Sequence, residues 1–225
     1  MIPWVFLGSA QVPGGSGELR LYRRGKEYSI RIGNSELMNS RVYGSEDALA
    51  ELACMRIGDR NCPTVLIGGL GMGYTVAAAL RRLGPGSKVV VAELVPAVVE
   101  WNRGPLAELA GRPLEDKRVT VLESDVAEVI ISGHGTYDAI LLDVDNGPEG
   151  LTRKVNDRIY DRTGLDAAYS ALRPSGVLAV WASGSNPAFV RRLRQVGFTV
   201  EEACARARGK RGGAHYMIWL ARRGG

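Results

Sequence analysis

Thr64-Val65-Leu66-Ile67-Gly68-Gly69-Leu70-Gly71-Met72-Gly73-Tyr74-Thr75 is the stretch that decides the fold. An apolar run breaks into alternating glycines and then takes up helical spacing, the pattern of a buried strand, a tight turn and a helix. The next apolar run, Lys88 to Ala92, ends in Glu93, 20 residues beyond Gly73. In a Rossmann-type sheet a carboxylate at that place accepts hydrogen bonds from ribose hydroxyls. Gly68 and Gly69, followed by Gly71 and Gly73, give a tight turn whose backbone amides can face a charged group. Strand, loop and acid together predict a bound nucleoside cofactor.

Working outward, strands and helical patterns alternate: helix about 73–83, strand 88–93, helix about 96–110, strand 118–122, helix about 125–131 and strand 137–142. Such alternation predicts a parallel sheet. A helical stretch at 157–172, strand 176–182, helix 187–196 and strands 198–206 and 214–221 follow, the last two reading as an antiparallel hairpin at the sheet edge. Upstream, Glu18–Tyr22 and Glu27–Ile32 alternate about Arg23-Arg24-Gly25-Lys26 and predict a β-hairpin. From Ser45, a candidate N-cap, Leu49, Leu52 and Ala53 take helical spacing up to Gly58. The expected architecture is α/β: an N-terminal β-hairpin segment over 1–44, then a seven-stranded Rossmann-like sheet over 45–225. Five parallel strands closed by a hairpin is the layout of class I S-adenosylmethionine-dependent transferases rather than of nicotinamide dehydrogenases, whose sheet continues parallel.

Composition sets the outer bounds. The 225 residues, 45% hydrophobic and 24% charged, suit one principal globular domain. The apolar start, Ile2 to Leu7, has neither a basic leader nor a run of about 18 apolar residues, so the expectation is a cytoplasmic protein with no membrane partner. Cys54, Cys62 and Cys204 are an odd set without paired spacing, and His134 and His215 have no partner pattern, so neither a disulfide framework nor a metal site is predicted. The net charge of +5 is partly gathered in Arg206, Arg208, Lys210 and Arg211 and in Arg191, Arg192 and Arg194. Without interleaved aromatics these read first as solvated surfaces, and nucleic acid is disfavoured as a partner.

Asp143 is the first choice for chemistry, because the fourth strand of the parallel series delivers it to the crevice at the strand ends. A carboxylate there can orient an amine and take its proton as the nitrogen attacks. Asp145 and Asn146 would help to hold the amine, the plainer alternative being an Asx cluster that stabilises the turn at Gly147-Pro148. Asp125 follows the third strand, where its carboxylate can accept from an adenine amino group while Val126 offers backbone donors; its plainer role is as the N-cap of the next helix. Tyr160 and Tyr43 are candidate linings of the acceptor pocket, and each reads equally as packing.

From the N-terminal hairpin to Gly176 the chain resembles the spermidine synthase (polyamine aminopropyltransferase) superfamily. Val65-Leu66-Ile67-Gly68-Gly69 is similar to its glycine strand, Glu93 to its ribose-binding acid, Asp125 to its adenine-side acid, and Asp143 in Leu141-Leu142-Asp143-Val144-Asp145 to its catalytic aspartate. The resemblance implies a decarboxylated S-adenosylmethionine donor and a diamine acceptor. It also implies self-association, and the edge hairpin offers a surface for a homodimer. Two departures bear on the chemistry. The family's glycine loop carries an aspartate that pairs with the donor's amine, where this chain has Gly71. Its Gln and Tyr-x-Glu on the acceptor side have no counterpart in Leu37 to Glu46, and its second acid is shifted to Asp145 or replaced by Asn146.

Loss of the loop acid removes a like-charge clash with an intact methionine carboxylate. The sequence therefore favours S-adenosylmethionine as cofactor and methyl transfer to a small-molecule amine, with aminopropyl transfer from the decarboxylated form as the nearest rival. A rival of another class is a non-catalytic nucleoside-binding protein that holds an acidic partner through the basic hairpin.

Overall fold

The structure, a computed structural model, describes residues 2–15, 17–144, 157–206 and 213–225. Two sheets organise it. The first is an antiparallel meander of β1 (Val5–Gln11), β2 (Glu18–Arg24), β3 (Glu27–Ile32) and β4 (Ser35–Asn39). The expected hairpin is its β2–β3 centre, with Gly25 in the left-handed region at the turn. It is flanked by two strands that the alternation in 18–32 did not extend to.

The second sheet carries α1 (Gly44–Ile57), β5 (Thr64–Gly68), α2 (Tyr74–Arg82), β6 (Lys88–Glu93), α3 (Pro96–Arg103), β7 (Val119–Glu123), α4 (Val126–Ser132) and β8 (Tyr137–Leu142). It continues with α5 (Asp157–Tyr160), α6 (Arg162–Ala171), β9 (Leu172–Ala182), α7 (Pro187–Val196), β10 (Thr199–Arg206) and β11 (His215–Arg222). Its order is β10-β11-β9-β8-β5-β6-β7, with β7, β6, β5, β8 and β9 parallel and β11 inserted antiparallel between β9 and β10. The chain winds outward from β5 through β6 to β7 and then returns to the other side with β8. Strand order reverses at β5/β8, the place where an open α/β sheet leaves a crevice beyond its carboxyl ends.

Pleating divides the core. Val65, Ile67, Ala139 and Leu141 face α1, α2, α3 and the N-terminal sheet, whereas Leu66, Ile140, Leu142 and Trp219 face α4, α6 and α7. All six residues of β8 are buried, as a parallel strand covered on both faces requires. Helix ends follow local chemistry: Asn186 accepts from the Phe189 amide at 2.8 Å ahead of Pro187, and Gly197 closes α7 in the left-handed region.

Three expectations are corrected. The helix read over 96–110 stops at Arg103, because Gly104 breaks the regular turn and the chain continues as the 3-10 turns Ala107–Ala110 and Pro113–Glu115. The stretch 157–172 is two helices, α5 and α6, with Asp161 capping the second. Ser45 is not the cap of α1. Tyr43 holds that position without a side-chain bond, and the Ser45 hydroxyl instead donates to Glu46.

Candidate active site

The carboxyl ends of β5, β6, β7, β8 and β9, roofed by β2, β3 and β4 and by the start of α1, enclose a cavity of about 810 Å³. That volume is in the range of a small-molecule site. The glycine loop forms its floor. Gly69, at φ +87°, has to lack a side chain, since a Cβ would meet the Asp143 carbonyl oxygen at 2.6 Å. Gly69 and Gly71 line the cavity; Gly68 and Gly73 do not. Gly68 is pressed against Val126 and Leu142, and Gly73 precedes α2 against Asn102 and Pro113, so both act by close packing.

Glu93 lines the cavity at 8% exposure. Its carboxylate accepts from the Leu70 amide and from the Val95 amide, each at 2.9 Å. Burial pushes its pKa up, and the backbone amides of Val95, Leu70, Leu94 and Gly71 pull it down. Asp125 combines both of its expected features: it lines the cavity, and its Oδ1 accepts from the Ala127 amide at 2.9 Å as the cap of α4. Val126 lines the cavity beside it.

Asp143 follows the last residue of β8 and faces the cavity. Its backbone amide donates to the Gly68 carbonyl at 3.1 Å, and its Oδ2 accepts from the Thr75 hydroxyl at 2.7 Å. Burial raises its pKa against the pull of Thr75. The cavity also holds an acid that the sequence reading did not single out. Glu46, in the first turn of α1, has its pKa pushed up to about 7 by burial and by the Asp143 charge, against the Ser45 hydroxyl bond at 2.6 Å. The helix-start pattern gives its place on α1, but only tertiary packing sets it before Asp143.

Two pocket candidates lie elsewhere. Tyr160 is buried against Phe189, its hydroxyl 3.4 Å from the Val144 carbonyl, and does not line the cavity. Tyr43 is exposed and stacked on Tyr74, with ring centroids 4.4 Å apart, on the outer side; Tyr74 is the ring that reaches the cavity. Asp145 and Asn146, expected to hold the amine, and Arg208, Lys210 and Arg211 of the basic hairpin lie outside the described residues.

The charged side chains of the lining are all acids. Glu36, Glu46, Glu93, Asp125 and Asp143 face the cavity, and among the described residues no Lys, Arg or His does so. At the opposite end of β8, Asp138 is buried between Arg60 and Arg173, at 2.6 and 2.8 Å, and accepts from the Thr64 amide. That acid is structural. Gly71, at φ +53°, faces Met38, whose sulfur would lie 3.2 Å from a Cβ there. The indole N–H of Trp181, another lining residue, is buried without a partner among the described residues. Such a group costs about 1–3 kcal/mol when left unpaired.

Among the described residues, no group of His, Cys, Asp or Glu is arranged to hold a metal ion, and no helix is long and apolar enough to cross a membrane.

No family model and no curated protein matches the chain. Solved structures match its fold. A spermidine synthase from Thermotoga maritima aligns with a TM-score of 0.77 at 17% identity, over 97% of this chain and 73% of that one. A spermidine synthase in complex with the transition-state analogue AdoDATO gives 0.76 at 16%, over 97% and 72%. The Burkholderia thailandensis 1,6-didemethyltoxoflavin-N1-methyltransferase, with bound 1,6-didemethyltoxoflavin and S-adenosylhomocysteine, gives 0.55 at 23%, over 80% and 79%. The chain thus has the fold of the spermidine synthases along nearly its whole length, and its seven-stranded sheet is of the Rossmann-like methyltransferase kind.

Proposed function

We propose that the protein transfers a methyl group from S-adenosylmethionine to the nitrogen of a small amine. The observation that carries this reading is one cavity at the strand-order reversal with Glu93 and Asp125 on one side and the half-buried carboxyl group of Asp143 on the other. The residues present fit a nucleoside: the Glu93 carboxylate stands in the lining where a diol can reach it, and the glycine loop leaves backbone rather than side chains beside it. When bound, the donor supplies an electrophilic carbon on a sulfonium. Asp143 receives the amine's hydrogen bond and, as the nitrogen lone pair forms the new C–N bond and the C–S electrons return to sulfur, takes the proton the nitrogen sheds. Its raised pKa suits the receipt of a proton. Thr75 fixes the carboxyl group, leaving Oδ1 for the acceptor.

The identity of the transferred group turns on the donor's tail. Gly71 offers no acid to pair with an aminopropyl ammonium, and the Met38 thioether fills the space before it, which supports methyl transfer. A second reading, aminopropyl transfer to a diamine, is favoured by the lining itself. With carboxyl groups and no basic side chain there among the described residues, and with the Leu70 amide engaged by Glu93, a donor without a carboxylate is electrostatically easier to hold. The solved spermidine synthase bound to AdoDATO has the same fold.

Calorimetric titration of S-adenosylmethionine and its decarboxylated form, side by side at one salt concentration, tests both. Tighter binding of the carboxylated donor is expected. Preference for the decarboxylated donor moves the assignment to aminopropyl transfer, and binding of neither overturns it.

A further inference from the structure

The glycine loop is held from behind as well as from the cavity. At its ends backbone meets backbone: the Gly69 amide donates to the Ala92 carbonyl at 2.9 Å and the Gly73 amide to the Leu70 carbonyl at 2.8 Å. Its middle is met by side chains. The Leu70 amide donates to Glu93 Oε2 at 2.9 Å, and the Gly71 amide acts on the same carboxylate. The Gly71 carbonyl accepts from Asn102 Nδ2 at 2.8 Å, and that nitrogen also donates to the Val98 carbonyl, one turn back on α3, at 2.9 Å. Asn102 Oδ1 stands against Gly73, 3.0 Å from where a Cβ would lie.

Asn102 is 3% exposed and does not line the cavity, whereas Gly71 and Glu93 do. The Gly71 carbonyl is therefore turned out of the cavity, and Gly71, at φ +53°, is gripped at both ends, its amide by Glu93 and its carbonyl by Asn102. Asparagine is otherwise a poor occupant of this position. It is a weak helix former, and on a helix whose Val98, Val99 and Trp101 are core residues an apolar side chain would gain more from burial. What it supplies is a donor to the loop. Resting on the transferase reading above, we propose that Asn102 is a positioning residue for the nucleoside: by holding the Gly71 carbonyl out of the cavity it keeps the Leu70 and Gly71 amides on Glu93, and so fixes the carboxylate that meets the ribose. Without that donor the carbonyl is left unpaired, and the Gly71 peptide turns to find a partner and draws its amides off Glu93.

The test is calorimetry on the full chain with 5′-methylthioadenosine, which carries the adenosine and the sulfur of both candidate donors. Asn102→Leu, which keeps bulk and removes the donor, and Asn102→Ala should each weaken binding about fivefold or more. In a Glu93→Ala background the same changes should cost less than about twofold, because Asn102 acts through that carboxylate. A structural role alone would lower the urea midpoint of Asn102→Leu and leave nucleoside affinity unchanged; that result, or full additivity with Glu93→Ala, overturns the proposal. In the wild-type chain the Asn102 side-chain amide protons should exchange slowly with solvent and shift in the NMR spectrum on saturation with the nucleoside. If the variants fail to fold this measurement decides, and protons unmoved by the nucleoside overturn the proposal. Wild-type binding with unchanged variants removes this inference alone, whereas failure of the wild-type chain to bind the nucleoside removes the transferase reading with it.

Discussion

Replacing Glu46 by Gln should make the folded chain more stable at alkaline pH and leave it nearly unchanged in acid. Glu46 faces Asp143 across the cavity, with Asp47 beside it, the Ser45 hydroxyl on its carboxylate and the Tyr74 ring nearby. Burial and the Asp143 charge raise its pKa from the ordinary 4.5 to about 7. Between these values the folded chain binds more protons than the unfolded one. The stability tied to Glu46 is therefore fully present below about 4.5 and is lost as pH rises through about 7. At about 1.4 kcal/mol per pH unit the full span is about 3 kcal/mol, which partial exposure of the side chain trims to about 2. Glutamine keeps an oxygen for Ser45 and carries no charge to desolvate. Urea unfolding of both proteins at pH 5 and pH 8 measures the effect: a difference under about 1 kcal/mol at pH 5 should grow to about 2 kcal/mol in favour of Glu46→Gln at pH 8. An equal difference at the two pH values, or a less stable variant at pH 8, would refute the raised pKa of Glu46.

Asp143→Asn should leave donor affinity within about twofold while lowering turnover about 10²- to 10⁴-fold, since its part is on the acceptor side; calorimetry beside steady-state rates checks this, and parallel loss of both removes the assignment. Glu93→Ala should do the reverse, weakening nucleoside binding about tenfold or more because the diol loses its acceptor and the Leu70 and Val95 amides lose theirs, and unchanged affinity would count against the ribose role. The double change Gly71→Asp with Met38→Ala supplies an acid at φ +53°, a conformation Asp tolerates, and clears the thioether from it; competitive titration should show preference moving toward decarboxylated S-adenosylmethionine, and no movement would mean that the donor's tail does not reach this position.

The parallel core was legible because its strands write themselves as apolar runs punctuated by glycine. Gly69 illustrates how closely sequence and geometry agree: its positive φ and its contact with the Asp143 carbonyl leave room for no other residue, so the glycine marks the loop directly. Asp143 and Glu93 were legible from their places at strand ends. Glu46 was not, because nothing in Tyr43-Gly44-Ser45-Glu46 reveals that α1 begins across from β8. Tyr160 and Tyr43 show the converse limit, for a tyrosine near a crevice in chain order can turn its ring to Phe189 or to Tyr74 at no cost that sequence displays. The outer strands β1 and β4 escaped notice because exposed edge strands need not alternate cleanly: Val5, Phe6 and Leu7 are all solvent-facing.

Strand β11 is made after β10 yet lies between β10 and β9. During synthesis β9 therefore emerges with an open edge, and β10 has no neighbour to pair with until β11 has followed it out. Tyr216, near the start of β11, reaches Trp181 only once that strand is seated. The side of the cavity over β5, β6 and β7 is built from segments translated well before this point, so a nascent chain would acquire the two sides of the cavity in sequence.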